Sequence, residues 1–412
     1  MLDIIKLDNG LKIYLVKDKN KHTTYVNLIV KFGGINSEII INNKKEKVKS
    51  GTAHFLEHLV LECSEYGDLM NMLGSHGIRS NGLTSINKTQ FYIDTVDNIY
   101  NAVGLLIEGI HRPIITKENI DKIKQPILAE KRRSLDNKYS NLYNMSVGSV
   151  LKSGKFDSIL GSIKDIESIN EFDLKTAFNT FYIPTNEIIV IGGNFDKKKI
   201  IELIKYAYNN LKFNNDIVSE IKYKNADNVN KKYCLIKDDI NIEKSIISFK
   251  ININDLNSYE KLALDTYLYI FLRSNFGVSS ILNKELIDKG IIFGNIAYSS
   301  DILDNYLIAR IEANIKDEVY FNDTIIDYIQ NKKYSFDEEL FLLYKKNLII
   351  DYIIRTDDIY KTIDPLIENI ISFNYEDIDT IKDIEDLNYN DYVNYINNII
   401  FDNYNISVIK RK

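Results

Sequence analysis

Apolar and polar positions alternate with a period of two at the start of the chain. "IIKLDNGLKIYLVKD" is two such runs around Asn9-Gly10, which predicts a hairpin because that pair tolerates the positive φ of a type I′ turn. "TYVNLIVKFGG" reads as a third strand. The period then becomes helical in "GTAHFLEHLVLE", residues 51–62, and in "GDLMNMLGSHG". The strand "TQFYIDTV" and the helix "NIYNAVGLLIEGIHR" follow, then a second helical segment from about Lys117 to Leu142. "NEIIVIGGNF" as strand and "DKKKIIELIKYAYNNLKF" as helix close this half. Next the chain turns polar and loses its period, so residues 216–232 are the expected linker between domains at 1–215 and 233–412.

The second half repeats the first in outline. "TQFYIDTVDNIYNAVGLLIEGI" has a counterpart in "YLIARIEANIKDEVYFNDTIIDYI", and "EIIVIGGNF" has one in "NYNISVIKR". The pattern predicts an α+β fold of two homologous α/β halves of about 200 residues, each a mostly antiparallel sheet covered by helices. The repeat is one of pattern and not of chemistry. The segment answering residues 51–62, "LDTYLYIFLRSNFGVSSILNKEL", contains no histidine, which predicts an active half and a supporting half.

Composition narrows the classes. Of 412 residues 45% are hydrophobic, enough for two cores, and the net charge of -6 with interleaved acidic residues argues against nucleic-acid binding. Cys63 and Cys234 are the only cysteines and cannot build a disulfide framework. The start "MLDIIKLDNGLKIYLV" lacks the basic and apolar regions of a signal peptide. No apolar run reaches the roughly 18 residues of a membrane span. The expectation is a soluble, cytoplasmic protein.

Within residues 51–62 three polar side chains interrupt a buried pattern. At helical period His54, Glu57 and His58 share one arc of about 100°, with Phe55, Leu56, Leu59 and Val60 on the other side. Burying them without partners costs several kcal/mol, so they must be hydrogen-bonded or bind something. Histidines at i and i+4 can aim both rings at one ion while the glutamate holds a water beside it. The order H-x-x-E-H is a metalloprotease signature, the reverse of the zincin helix. A zinc site needs a third protein ligand and an open fourth position. "QPILAEKRRSLDN" offers Glu130, set among Ile127, Leu128 and Ala129.

These segments, with "SHGIRSNGLTSINKTQFYIDTV", resemble the catalytic half of the pitrilysin or insulinase-type zinc metallopeptidases, which include the mitochondrial processing peptidases. The resemblance covers most of the N-terminal half and, more weakly, the C-terminal half. It implies Zn2+ held by His54, His58 and Glu130, with Glu57 as the catalytic glutamate. It also implies that the stretch at Asn81, Gly82 and Thr84 leads into an edge strand where substrate docks in extended form. Two halves closing as a clamshell around peptides or unfolded segments are expected, with removal of leaders from ribosomally made, modified peptides as one such task. A homodimer, or a heterodimer with a homologue lacking the motif, is the implied assembly.

The sequence also departs from the family. Ile123 stands where a glutamate usually supports the ligands, and Pro126 precedes Glu130 by four residues, where it is expected to kink or start a helix. In the second half Ile287 and Phe293 occupy the places of an Arg and a Tyr that grip substrate. Arg273 and Tyr298 are candidate replacements. These changes keep open a rival from another class, a non-catalytic peptide-binding or scaffold subunit.

Overall fold

The computed structural model describes residues 2–36, 38–41, 44–151, 158–213, 218–221, 227–303, 305–376 and 379–412. The opening hairpin joins β1 (Leu2–Lys6) to β2 (Lys12–Lys17). Its loop differs from the two-residue turn expected. Leu7 and Leu11 close a three-residue loop in which Gly10 alone takes a positive φ, 90°. Asn9 caps it instead, its side chain accepting from the Leu11 N–H at 3.1 Å. Then come β3 (Thr24–Val30), β4 (Glu38–Ile41), β5 (Lys44–Lys47), α1 (Thr52–Glu62) and α2 (Leu69–Ser75). β6 (Arg79–Thr84), β7 (Thr89–Thr95), α3 (Ile99–His111) and α4 (Lys117–Asp136) follow.

The single helix expected to Leu142 breaks at Asn137. Its backbone is extended and its side chain caps a new helix, α5 (Lys138–Val150), by accepting from the Ser140 N–H. Helix α4 runs through the exposed Pro126 and does not start there. The half closes with α6 (Ile163–Ser168), α7 (Glu171–Phe181), β8 (Glu187–Gly193) and α8 (Lys197–Asn209). Much of the expected linker lies outside the described residues. Within it, β9 (Val218–Ile221) pairs antiparallel with β4.

The second half runs β10 (Tyr233–Asp238), β11 (Glu243–Asn252), α9 (Ser258–Phe276), α10 (Ile281–Asp288), β12 (Ile292–Leu303) and β13 (Tyr306–Ile315). It continues through α11 (Glu318–Gln330), α12 (Glu338–Arg355), α13 (Ile359–Phe373), α14 (Thr380–Glu385), α15 (Tyr389–Asn398) and β14 (Tyr404–Arg411).

The chain folds into two compact units, each drawn from three stretches. One holds Met1–Arg133, Lys155–Tyr223 and Thr356–Ile367; the other holds Ser134–Gly154, Lys224–Arg355 and Glu368–Lys412. The first contains a sheet in the order β1-β2-β8-β3-β7-β6, and the second one in the order β10-β14-β11-β13-β12. Apart from β1, which has no counterpart in the second sheet, the internal repeat holds in direction as well as order. β2 with β8, and β10 with β14, are the parallel pairs, and every other pair in these two sheets is antiparallel. No helix among the described residues is long and apolar enough to cross a membrane.

In the first unit alternate residues of the sheet, among them Val26, Leu28, Phe91 and Ile93, join Phe55, Leu56, Leu59 and Val60 of α1 in one core. Residues of the opposite register, Asn27 and Gln90, pair at 2.8 Å. The segment Thr356–Ile367 belongs to this unit. The Tyr25 hydroxyl donates to Asp364 at 3.2 Å, and Gly192 leaves room for Ile363, which would stand 2.6 Å from a Cβ placed there. In the second unit Ile247, Phe249, Leu268, Phe271 and Ile311 anchor a separate core rich in aromatic rings.

Candidate metal centre

Helix α1 begins at Gly51, whose φ of 87° and close approach to the Leu160 carbonyl both exclude a side chain. From there the helix buries its apolar residues against the sheet and carries His54 and Glu57 at 7% and 8% exposure. His58, one turn after His54, remains partly open. Helix α4 brings Glu130 to the same place. The Nε2 atoms of His54 and His58 each lie 3.6 Å from a single Glu130 oxygen, Oε2. The three ligand atoms fall within 4.8 Å of one another. The rings of the two histidines meet edge to face at 4.8 Å.

This donor set suits zinc. Two imidazoles and a carboxylate at bond lengths of about 2.1 Å stand about 3.4 Å apart in a tetrahedron, close to the 3.6 Å from each Nε2 to Glu130. The electrostatics suit it as well. Burial and the neighbouring His58 lower His54 to a pKa of about 4, against the pull of Glu130, so His54 is neutral and offers a lone pair. Burial also disfavours charge on His58, but the carboxylates of Glu130 and Glu62 outweigh it and raise that group to about 9. The neighbouring His58 lowers Glu130. A cation seated among these groups would displace the proton on His58.

Glu57 stands beside the trio on the same helix. Burial raises its pKa, although the Thr84 bonds oppose this. The Thr84 hydroxyl donates to Glu57 Oε2 at 2.5 Å. Gly82 is required by space: a Cβ there would lie 2.8 Å from Glu57 Oε1 and from Leu61. Two of the three residues expected to meet substrate, Gly82 and Thr84, are thus packed against Glu57. Asn81 falls on the opposite face of its strand, donating to the Tyr92 hydroxyl at 3.1 Å and accepting from the Gly82 N–H. The stretch containing these residues does not lead into the edge strand but is the edge strand. β6 ends the sheet, and β7 lies inside it.

In the second unit Ile287 and Phe293 are partly exposed, and the Lys316 ammonium sits 4.4 Å over the Phe293 ring. Arg273 donates to the Tyr269 hydroxyl at 3.1 Å and stacks 4.6 Å over Tyr344; the Tyr298 ring meets that of Tyr269 at 6.2 Å. Sequence reasoning overlooked Glu62. Its spacing of four from His58 on one helix was a usable signal.

Residues 12–154 match the family model described as Insulinase (Peptidase family M16), and residues 168–348 match that described as Peptidase M16 inactive domain. The chain belongs to the M16 peptidase family. It is 27% identical over 293 residues to the uncharacterized zinc protease YmfH of Bacillus subtilis, covering 70% of this chain and 68% of that one. It is 25% identical to the zinc protease PqqE of Helicobacter pylori, covering 69% of this chain and 63% of that one. Its fold matches an M16-like peptidase from Alicyclobacillus acidocaldarius with a TM-score of 0.89, at 19% identity, over 100% of this chain and 98% of that one.

Proposed function

We propose that the chain is a zinc-dependent endopeptidase acting on peptides or unfolded segments bound in extended form. The observation that carries this reading is the convergence of His54, His58 and Glu130, with both Nε2 atoms 3.6 Å from one carboxylate oxygen and Glu57 adjacent. His54, His58 and Glu130 would hold the metal. Bound there, zinc supplies Lewis acidity to water and to the scissile carbonyl.

The remaining steps fall to the chain's own residues. Glu57 accepts the proton of the attacking water at Oε1 and returns it to the leaving amide nitrogen. Thr84 keeps Oε2 engaged, so the carboxylate cannot swing away, and Gly82 leaves Oε1 clear. An extended segment pairs with the outer edge of β6, whose backbone groups have no other strand to bond among the described residues. Such pairing reads main chain more than side chains, which suits oligopeptides and leader segments better than folded proteins.

The test combines metal analysis of the purified chain with cleavage of an unstructured peptide library, with and without a chelator. Stoichiometric zinc and chelator-sensitive cleavage are expected, and Glu130→Ala should lower zinc occupancy. A zinc-free protein without chelator-sensitive activity would favour the non-catalytic scaffold.

A further inference from the structure

We propose that Glu62 is a positioning residue of the metal centre, its carboxylate holding His58 so that the ring presents Nε2 to the ligand cluster. This rests on the zinc reading above. Glu62 Oε1 lies 3.0 Å from His58 Nδ1, one helical turn further along α1. With Nδ1–H donating to that oxygen, the lone pair of a neutral ring is left on Nε2, the atom that faces Glu130. The bond fixes both the tautomer and the ring angle.

Three further observations single out this carboxylate. The two histidines differ in support: His54 Nδ1 is buried with no hydrogen-bond partner, so no bond on that side orients its ring, whereas the more open His58 has one. Glu62 is the last residue of α1, whose final turn contains no basic side chain. A carboxylate at the carbonyl end of a helix opposes the macrodipole, so local helix energetics disfavour it there. No lysine or arginine pairs with it among the described residues, which leaves His58 as its partner. Meanwhile α4, which supplies Glu130, has the fully buried Ile123 two turns earlier, so support for the ligands from that position is apolar. Support for a ligating imidazole comes from within α1 itself.

The full chain can be tested by zinc competition against a chromophoric chelator. Outer carboxylates of this kind change metal affinity by about 10–100-fold. With both groups partly exposed, Glu62→Gln should weaken zinc binding about tenfold, and Glu62→Ala at least as much. Zinc-free melting temperatures should match the wild type. A second readout is NMR of the zinc-loaded protein labelled with 15N-histidine. The wild type should show a slowly exchanging Nδ1–H on His58 whose exchange accelerates in Glu62→Ala, a change that general loosening of the helix end would not confine to this ring. Equal zinc affinity in wild type and both variants, with unchanged exchange at His58, would overturn the role while leaving the zinc reading intact. A wild-type chain that takes up no zinc would overturn both.

Discussion

Two helices occupy equivalent places in the repeat, α1 after β3 and α9 after β11, and they use their polar residues differently. Helix α9 closes its start with a capping box, Asn257 accepting from the Glu260 N–H while Glu260 accepts from that of Asn257, and packs its middle with Tyr267, Leu268 and Phe271. Helix α1 has no side-chain cap and no acidic residue in its first turn; its polar residues lie along one buried face, at His54 and Glu57. Helix α9 also carries polar groups within its length, but these have partners in the protein, Asp265 accepting from the Ser300 hydroxyl and Asn275 from that of Tyr328. On α1 the buried His54 Nδ1 has no hydrogen-bond partner, and it is this unpartnered polar face that the proposed metal would explain. The duplication makes this contrast internal, because strand order and direction are the same around both helices.

The largest test of that contrast is Glu57→Gln. Loss of a general base should lower kcat/KM by about 10³-fold in a fluorogenic peptide assay while zinc content stays at the wild-type level. Retained turnover would return α1 to the status of α9.

A second polar cluster sharpens the comparison because it is buried yet lies outside the candidate metal centre. His111, at the end of α3, meets Glu187 at 2.9 Å and bonds the Ile107 carbonyl, and Tyr208 donates to Glu187 at 2.7 Å. The second unit ends α11 with the exposed Gln330 instead. Burial opposes charge on His111, but Glu187 outweighs it and raises the pKa. With the folded value above the unfolded one of about 6.5, the stabilisation is complete at lower pH and is lost as pH rises through the folded value. His111→Gln should cost about 3 kcal/mol at pH 6 in urea unfolding, less at alkaline pH, with no change in zinc content.

Gly82→Ala should lower kcat about 10²-fold by displacing Glu57, a loss expected from a shift near 1 Å in a catalytic group. Thr84→Val should have the smallest effect, about tenfold on kcat, matching a single hydrogen bond to a charged group.

Much of this was legible in the sequence because period and spacing are local. The strands β3, β7 and β8, the helices α3 and α8, and the repeat itself follow from where apolar residues fall. The pairing of His54 with His58 follows from the helical turn. What was not legible depends on tertiary placement. That Glu130 would meet both histidines through one oxygen required α4 to pass beside α1. That Thr84 would face Glu57 and Asn81 turn away required knowing that residues 79–84 pair as a strand, which their exposed, weakly apolar side chains conceal. The break at Asn137 was hidden because a helical period continued across it and only a cap distinguished the two helices.

The placement of Thr356–Ile367 has a consequence for how such a protein can be divided. These residues are encoded far behind the H-x-x-E-H motif, yet they cover Gly192 and Tyr25 of the first sheet. A gene cut after Tyr223 would therefore release the first unit with a raw apolar patch where Ile359 and Ile363 had been. Such a fragment should be prone to aggregation unless the missing helical turns are spliced back. Because each unit is drawn from three stretches of the chain, a single cut in the gene frees neither half intact.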